Sequence, residues 1–465
     1  MFKHFYLILI AFSIFSCAKK AEQKEAGASD KNERPNIIII LADDAGYIDF
    51  GFMGSSDLDT PNIDKIAKSG VVFTDAHVSS TVCAPSRAGL LTGKYQQRFG
   101  FEANGTGGIG LSDDVKTMAD VFQKHNYSTV AIGKWHLGAS VTDHPNQRGF
   151  DDFYGFLAGS RSYFPMETPS KQHMLQHNGE RILFDGYMTD VLGDYSVKYV
   201  KDHKNKPFFM YLAYNAVHTP MDAKAEDLEK YKDHPRKTLA AMTWSLDQNV
   251  GKLYNTLKDL NLLDNTLIYF LSDNGGATNN TSENGPLKGW KGNEFEGGHR
   301  VPFVMSWPKI LKENLPFKGL SSSLDIFPTS LAAAHIAKDK SLILDGVNLL
   351  PYLKKEKQGN PHQELYWRKL DDAAARFGDL KLVRLKNYGA TLYDLSDDIG
   401  ETQDLSIEDT TSFSLLKTNL KTWESKMEPP KWKESKAWMD VTYDIHKQLM
   451  QNKEVTHKSP AGYHE

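Results

Sequence analysis

An α/β fold, with a large, mostly parallel sheet between covering helices, is what the sequence predicts. Three observations carry that expectation. Short, continuous apolar runs recur along the chain, each ending in a polar or glycine-rich loop. Segments with apolar residues at helical spacing lie between them. From about Gly359 the pattern changes to short strands joined by turns. A chain of 465 residues has ample length for a large core and for two domains. The net charge of −4 advertises no basic surface, so nucleic-acid binding has no compositional support. An anionic ligand would need a local basic pocket.

The N-terminus is an export signal by its pattern. Residues 1–16 carry Lys3 and the apolar run Phe5 to Phe15, the length of a secretory h-region and too short to span a bilayer. Cys17 follows directly after Ser16, as in a bacterial lipobox, and would become the acylated first residue of the mature chain; ordinary signal cleavage is the alternative. Residues 17–34 are rich in Lys, Glu and Ala and are expected to form a flexible, lipidated tether. With no acidic cluster after Cys17, the expected location is the periplasm, anchored to the outer membrane. The chain has only two cysteines, so no disulfide framework exists, and Cys83 is kept for something else.

In chain order, Asn36 to Leu41 reads as a buried parallel strand ending at Ala42-Asp43-Asp44. Carboxylates at a strand's C-terminal edge lie where open α/β sheets bind ligands, although an isolated pair more often caps a turn. The same grammar recurs at Thr266 to Leu271, which ends at Ser272-Asp273-Asn274-Gly275-Gly276. Three carboxylates and an amide oxygen suit Ca²⁺ or Mg²⁺ better than zinc. Ser128 to Ile132 runs into Gly133-Lys134-Trp135-His136, and Pro207 to Leu212 runs into Tyr214 to Pro220, which contains His218. A lone histidine is usually structural. Two histidines and a lysine just past strand ends converge on one face.

Lys116 to Lys124, Met188 to Lys201 and Lys237 to Leu260 are predicted crossover helices. Leu239, Met242, Leu246, Val250 and Leu253 read as packing residues. Gly285 to Pro302 is too rich in glycine for a regular element and reads as a loop. Val301 to Trp307 reads as a strand, and Ser322 to Ala337 as a helix interrupted at Pro328. Leu365 to Arg368, Leu380 to Arg384 and Thr391 to Leu395 are short strands, and the polar tail after Trp432 is expected to wrap the surface.

The most specific stretch is Cys83-Ala-Pro-Ser-Arg-Ala-Gly-Leu-Leu-Thr-Gly93. Pro85 and Ser86 fit a helix's first turn, with the Ser86 hydroxyl available to cap, and Gly93 reads as the break. Cys83 would then sit at a helix N-terminus, where the macrodipole favours anions, with Arg87 one turn away. The string resembles the C-x-P-S-R-x-x-x-L/F-T-G signature of type I sulfatases, in the alkaline phosphatase superfamily, at every fixed position.

That resemblance extends from Pro35 to about Leu405 and implies more. The fold would be the alkaline-phosphatase-like sulfatase fold, with a catalytic domain over residues 35–358. Residues 359–465 would be a small antiparallel C-terminal subdomain and tail. Cys83 would be oxidised by a formylglycine-generating maturation enzyme to formylglycine (3-oxoalanine), whose hydrate attacks sulfur. Asp43, Asp44, Asp273 and Asn274, with the residue at position 83, would hold Ca²⁺, Mg²⁺ being the alternative. Arg87, Lys134 and Lys291 would neutralise the sulfate; His136 would assist proton removal from the hydrate; His218 with Lys291 would protonate the leaving oxygen. Lys291 takes the family spacing before Glu296, and Lys288 is its rival, with a substrate-side or surface role. His299 stands at a variable position, where a structural role is the better reading.

The implied substrate is a sulfated oligosaccharide, with pieces of algal polysaccharides such as ulvan or carrageenan favoured. Asp143, His144, Arg148, Arg161 and His173 are candidates for the specificity wall. The alternatives are a phosphonate or phosphate ester hydrolase of the same superfold and a non-catalytic homologue that binds sulfated glycans.

Overall fold

The computed structural model describes residues 1, 34–105, 109–311 and 315–456. The predicted signal peptide and tether, with Cys17, lie outside the described residues apart from Met1 and Arg34. No helix among the described residues is long and apolar enough to cross a membrane.

A ten-stranded mixed sheet forms the body. Its centre is parallel: Thr266–Ser272, Asn36–Ala42, Phe208–Ala213, Ser128–Lys134 and Asp152–Phe156 lie side by side in that order. Phe303–Ser306 pairs antiparallel on one flank and Gln176–His177 on the other. The unbroken run of the first strand follows from burial on both faces. Ile37, Ile39 and Leu41 enter one core, and Ile38, Ile40 and Ala42 enter the other. Each buried isoleucine contributes about 1.5–3 kcal/mol of apolar burial.

The crossover helices form as predicted, over Met118–Lys124, Met188–His203 and Lys237–Asp259. Thr117 begins the first of these with a capping box, its side chain accepting from Asp120 N while the Asp120 carboxylate accepts from Thr117 N. Leu239, Met242, Leu246, Val250 and Leu253 pack into the second core, as their spacing requires. Ser322 to Ala337 behaves otherwise. A 3₁₀ turn over Ser323–Asp325 leads into a helix over Ile326–Ala333, which Pro328 does not interrupt. Pro328 lies in that helix's first turn, where its missing N–H costs nothing. The glycine-rich loop also contains one helical turn, Glu296–His299. Its glycines permit close approach: a Cβ on Gly298 would lie 1.9 Å from Asn293 O.

The C-terminal part is a four-stranded antiparallel sheet of Glu364–Lys369, Asp372–Phe377, Leu380–Leu385 and Gly389–Asp394. The second strand was not expected, because Ala373 to Ala375 carry weak strand propensity and gain it from burial. The expectation of a surface-wrapping tail is corrected. Lys436–Met450 is a helix, and Val441, Ile445 and Leu449 pack with Val383, Leu385 and Tyr393 on one sheet face. A second helix, Thr410–Glu424, covers the other face through Leu416, Leu420 and Trp423.

Candidate active site

Strand register assembles the site. Ala42 pairs with Ser272, and Leu41 with both Leu271 and Ala213. The residues that follow therefore leave the sheet at one level. Asp43 N donates to Ala216 O at 2.9 Å, and Asp273 N to Ala42 O at 3.1 Å. Three loops bearing Asp43 and Asp44, Asp273 and Asn274, and His218 are thus sewn together by backbone bonds.

Cys83 begins the helix Cys83–Thr92, and Gly93 closes it in the left-handed conformation at φ 63°. The Ser86 hydroxyl does not cap it; the residue before the helix is Val82, and Ser86 Oγ is buried without a hydrogen-bond partner. Cys83 Sγ stands 3.6 Å from Asp43 Oδ1 and 3.7 Å from Asp44 Oδ1. Arg87, one turn on, donates from Nε to Asp273 Oδ2 at 2.9 Å and from Nη1 to Lys134 O at 3.0 Å. Lys134 Nζ donates to Asp43 Oδ2 at 2.6 Å, and Lys291 Nζ to Asp44 Oδ2 at 2.7 Å. Lys291 Nζ also lies 3.2 Å from His218 Nε2.

The electrostatics follow from three buried carboxylates among fixed cations. Burial would raise the Asp43 carboxyl, but Lys134, His218 and Arg87 outweigh it and hold the group well below the usual range. Asp44 is likewise lowered against its burial, by Lys291 and His218. Asp273 goes the other way: burial, then the Asp43 charge, push it up to about 6. Burial and the Asp273 carboxylate raise the Cys83 thiol, so an unmodified thiol is held protonated and weakly nucleophilic. His136 is half-buried at φ 57° with its Nδ1 enclosed and unpartnered; burial, then Lys134 and Arg87, lower its pKa well below the ordinary value.

The donor set fits a hard divalent cation. Asn274 Nδ2 donates to Asp44 Oδ1 at 2.8 Å, and the buried Asn274 Oδ1 has no hydrogen-bond partner. Asp43, Asp44, Asp273 and Asn274 bring oxygen donors to one edge of the sheet beside position 83, and a cation there would offset the burial and the Asp43 charge that raise Asp273. A ligand-type grouping of Asp43, Asp44, Cys83 and His218 lies within 4.8 Å.

A cleft of about 390 Å³ opens onto Cys83, His136, His218 and Lys291. Its outer walls include Asn104, Gln172, His173, Asn279, Lys369, Glu434 and Trp438. Of the predicted specificity wall only His173 lines it. Asp143 accepts from Ser140 and Arg148, Arg148 also donates to Leu111 O, and His144 bonds Gln176. These three hold loops together. Arg161 packs over Phe156 and Phe184 outside the lining. Lys288 does not line the cleft; half-buried, it lies over the Phe295 ring and donates to Glu401 O at 2.9 Å. His299 is structural, stacked on Trp367 and 2.9 Å from His77 Nδ1.

Sequence reasoning missed Lys369, Glu434 and Trp438, which reach the cleft from the C-terminal part. The helix was signalled by Trp438, Val441, Ile445 and Leu449 at three- and four-residue spacing. Nothing local signalled Asn280, whose amide donates to Asp44 O and Val217 O and braces two of the loops.

Comparison with known proteins agrees with this geometry. A family model described as Sulfatase matches residues 35–336. The uncharacterized sulfatase YdeN of Escherichia coli is 33% identical over 432 residues, covering 80% of this chain and 76% of that protein. Human N-acetylgalactosamine-6-sulfatase is 31% identical, covering 70% of this chain and 67% of its own. The crystal structure of Ps i-CgsB in complex with k-i-k-neocarrahexaose superposes with a TM-score of 0.82 at 37% identity, covering 90% of this chain and 99% of that one.

Proposed function

This chain belongs to the sulfatase family, and from that premise we propose that it removes sulfate from sulfated oligosaccharides, those of the carrageenan type being favoured over ulvan. The observation that carries the reading is the position of Cys83: at a helix N-terminus, within 3.7 Å of two buried carboxylates, and one turn from Arg87. The neocarrahexaose bound by the related Ps i-CgsB supports the saccharide class.

Asp43, Asp44, Asp273 and Asn274 are proposed to hold the divalent cation, Ca²⁺ rather than Mg²⁺, because Mg²⁺ gives up its waters reluctantly and is seldom held by an all-protein ligand set. Bound there, it supplies positive charge to a sulfate oxygen and to the nucleophile. Formylglycine at position 83, made from Cys83 by a maturation enzyme, supplies as its hydrate an oxygen nucleophile that the protonated thiol is not. The remaining parts belong to the chain as it stands. Lys134, Arg87 and Lys291 place three cations around the anion in a desolvated pocket. His136, held neutral, can accept a proton from the hydrate at its unpartnered Nδ1. His218 Nε2, 3.2 Å from Lys291 Nζ, faces the cleft and can deliver a proton to the leaving alcohol. Export, acylation of Cys17 and a periplasmic, outer-membrane location go with this reading, and palmitate labelling of wild type against Cys17→Ala tests them.

The test of the activity is sulfate release from defined sulfated oligosaccharides by protein made in a maturation-competent host. Wild type is expected to release sulfate and Cys83→Ala to release none. The peptide containing position 83 is expected to weigh about eighteen daltons less than its thiol form, as oxidation to the aldehyde requires. Equal activity of Cys83→Ala and wild type would falsify the reading, and turnover of phosphate esters alone would favour the phosphohydrolase alternative.

A further inference from the structure

The cleft beyond the proposed sulfate end is built asymmetrically. One helix, Lys436–Met450, contributes Trp438, Val441 and Ile445 to the lining, with Thr442 beside them. Val441 and Ile445 are buried against the C-terminal sheet, and Trp438 packs half-buried on the same cluster. Gln172 and His173 add an amide and an imidazole to the same lining. The lining also holds the ion pair Lys369–Glu434, at 3.0 Å and nearly closed to solvent.

The helix is pinned where Trp438 emerges. Ser435 caps it by accepting from Trp438 N, and the preceding residue, Glu434, is tied to Lys369 on the strand Glu364–Lys369. Trp438 therefore projects from a fixed first turn rather than from a loop, which suits a flat recognition surface.

A pyranose has one face of C–H groups and an edge of hydroxyls. A lining that offers an aromatic ring together with amide and imidazole groups matches that division. The charge pattern narrows the ligand further. The lysines lining the cleft are Lys291, bound to Asp44, and Lys369, bound to Glu434, so the outer cleft carries no net positive charge to reward a second sulfate.

Resting on the sulfatase reading, we propose that Trp438 is the specificity-determining residue of a saccharide subsite, stacking on the apolar face of the sugar that bears the scissile ester. The ring it selects is one without a second sulfate on the stacked face.

The experiment compares a defined sulfated galactan tetrasaccharide with para-nitrophenyl sulfate on matured wild type, Trp438→Phe and Trp438→Leu. Trp438→Leu keeps apolar bulk without a flat face, and its ratio of kcat/KM for saccharide over aryl ester is expected to fall about tenfold, about 1.4 kcal/mol. The loss is expected in KM, and Trp438→Phe is expected to recover most of it. An unchanged ratio in Trp438→Leu, or equal losses on both substrates, overturns the subsite. Wild type that hydrolyses neither ester overturns the sulfatase reading itself, a result distinguishable from failure of the subsite.

Discussion

Ala42 and Ser272 face each other in register across two parallel strands, and the next residue after each is an aspartate. One backbone pairing therefore fixes Asp43 and Asp273 at the same level of the sheet edge. Arg87 lies between them, 2.8 Å from Asp273 Oδ2 and 3.6 Å from Asp43 Oδ1 through Nη2.

Asp273→Asn is expected to release the bound divalent cation and to lower sulfatase kcat/KM at least 100-fold, because removing a proposed ligand should exceed the roughly 10–100-fold cost of losing a supporting contact. Elemental analysis of dialysed protein beside the kinetics checks this. Full cation content with full activity would show that Asp273 is not a ligand of the cation.

His218→Ala is expected to slow hydrolysis of alkyl sulfates by about 10²–10⁴-fold, the usual worth of a general acid. An aryl sulfate, whose phenolate leaves without help, should lose far less. Equal losses across leaving groups would remove His218 from proton delivery and leave it with binding alone.

Glu294 sets a pH dependence of stability. Burial, partly offset by Lys369, pushes its carboxyl up to about 8 from an ordinary value of 4.5. The folded chain therefore keeps a proton that the unfolded chain has lost between those values. Its stabilising contribution is full below pH 4.5 and declines as pH rises to about 8. Glu294→Gln should flatten this part of the profile; thermal melts from pH 5 to about 8.5 read it, and an unchanged slope would assign the dependence elsewhere.

Arg368→Ala tests the attachment of the C-terminal sheet. Arg368 makes forked bonds to the buried carboxylate of Glu102, the shorter at 2.5 Å. Leaving that carboxylate uncompensated is expected to cost about 3–5 kcal/mol. Denaturant unfolding should show it, and Glu102→Gln combined with Arg368→Ala should recover part of the loss.

Much was legible from the chain alone because it was local. Strand-end aspartates, the histidines of two loops and the Cys83 helix are written as short apolar runs followed by polar residues, and continuous runs such as Ile37 to Leu41 imply burial on both faces. Lys291, rather than Lys288, was implied by the family resemblance, and its Nζ reaches Asp44 Oδ2. What failed was non-local. Arg148 and Asp143 looked available for substrate, yet Leu111 O and Ser140 consume them. Charge on a side chain says nothing about which distant backbone carbonyl neutralises it. Likewise, the three- and four-residue spacing of apolar residues after Trp432 could specify a helix but not its neighbour.

The sequence by itself determined the α/β alternation and the short strings that carry Cys83, the Asp43-Asp44 pair and the Asp273-Asn274 pair, since each string depends on residues adjacent along the chain. The tertiary structure alone decided that Lys369, Glu434 and Trp438 border the cleft. Their position depends on how the C-terminal sheet seats on the main body through Trp367 to Val78, Arg376 to Asp75 and Lys381 to Glu296. Those contacts join residues more than eighty positions apart, and no local pattern encodes which surfaces will meet.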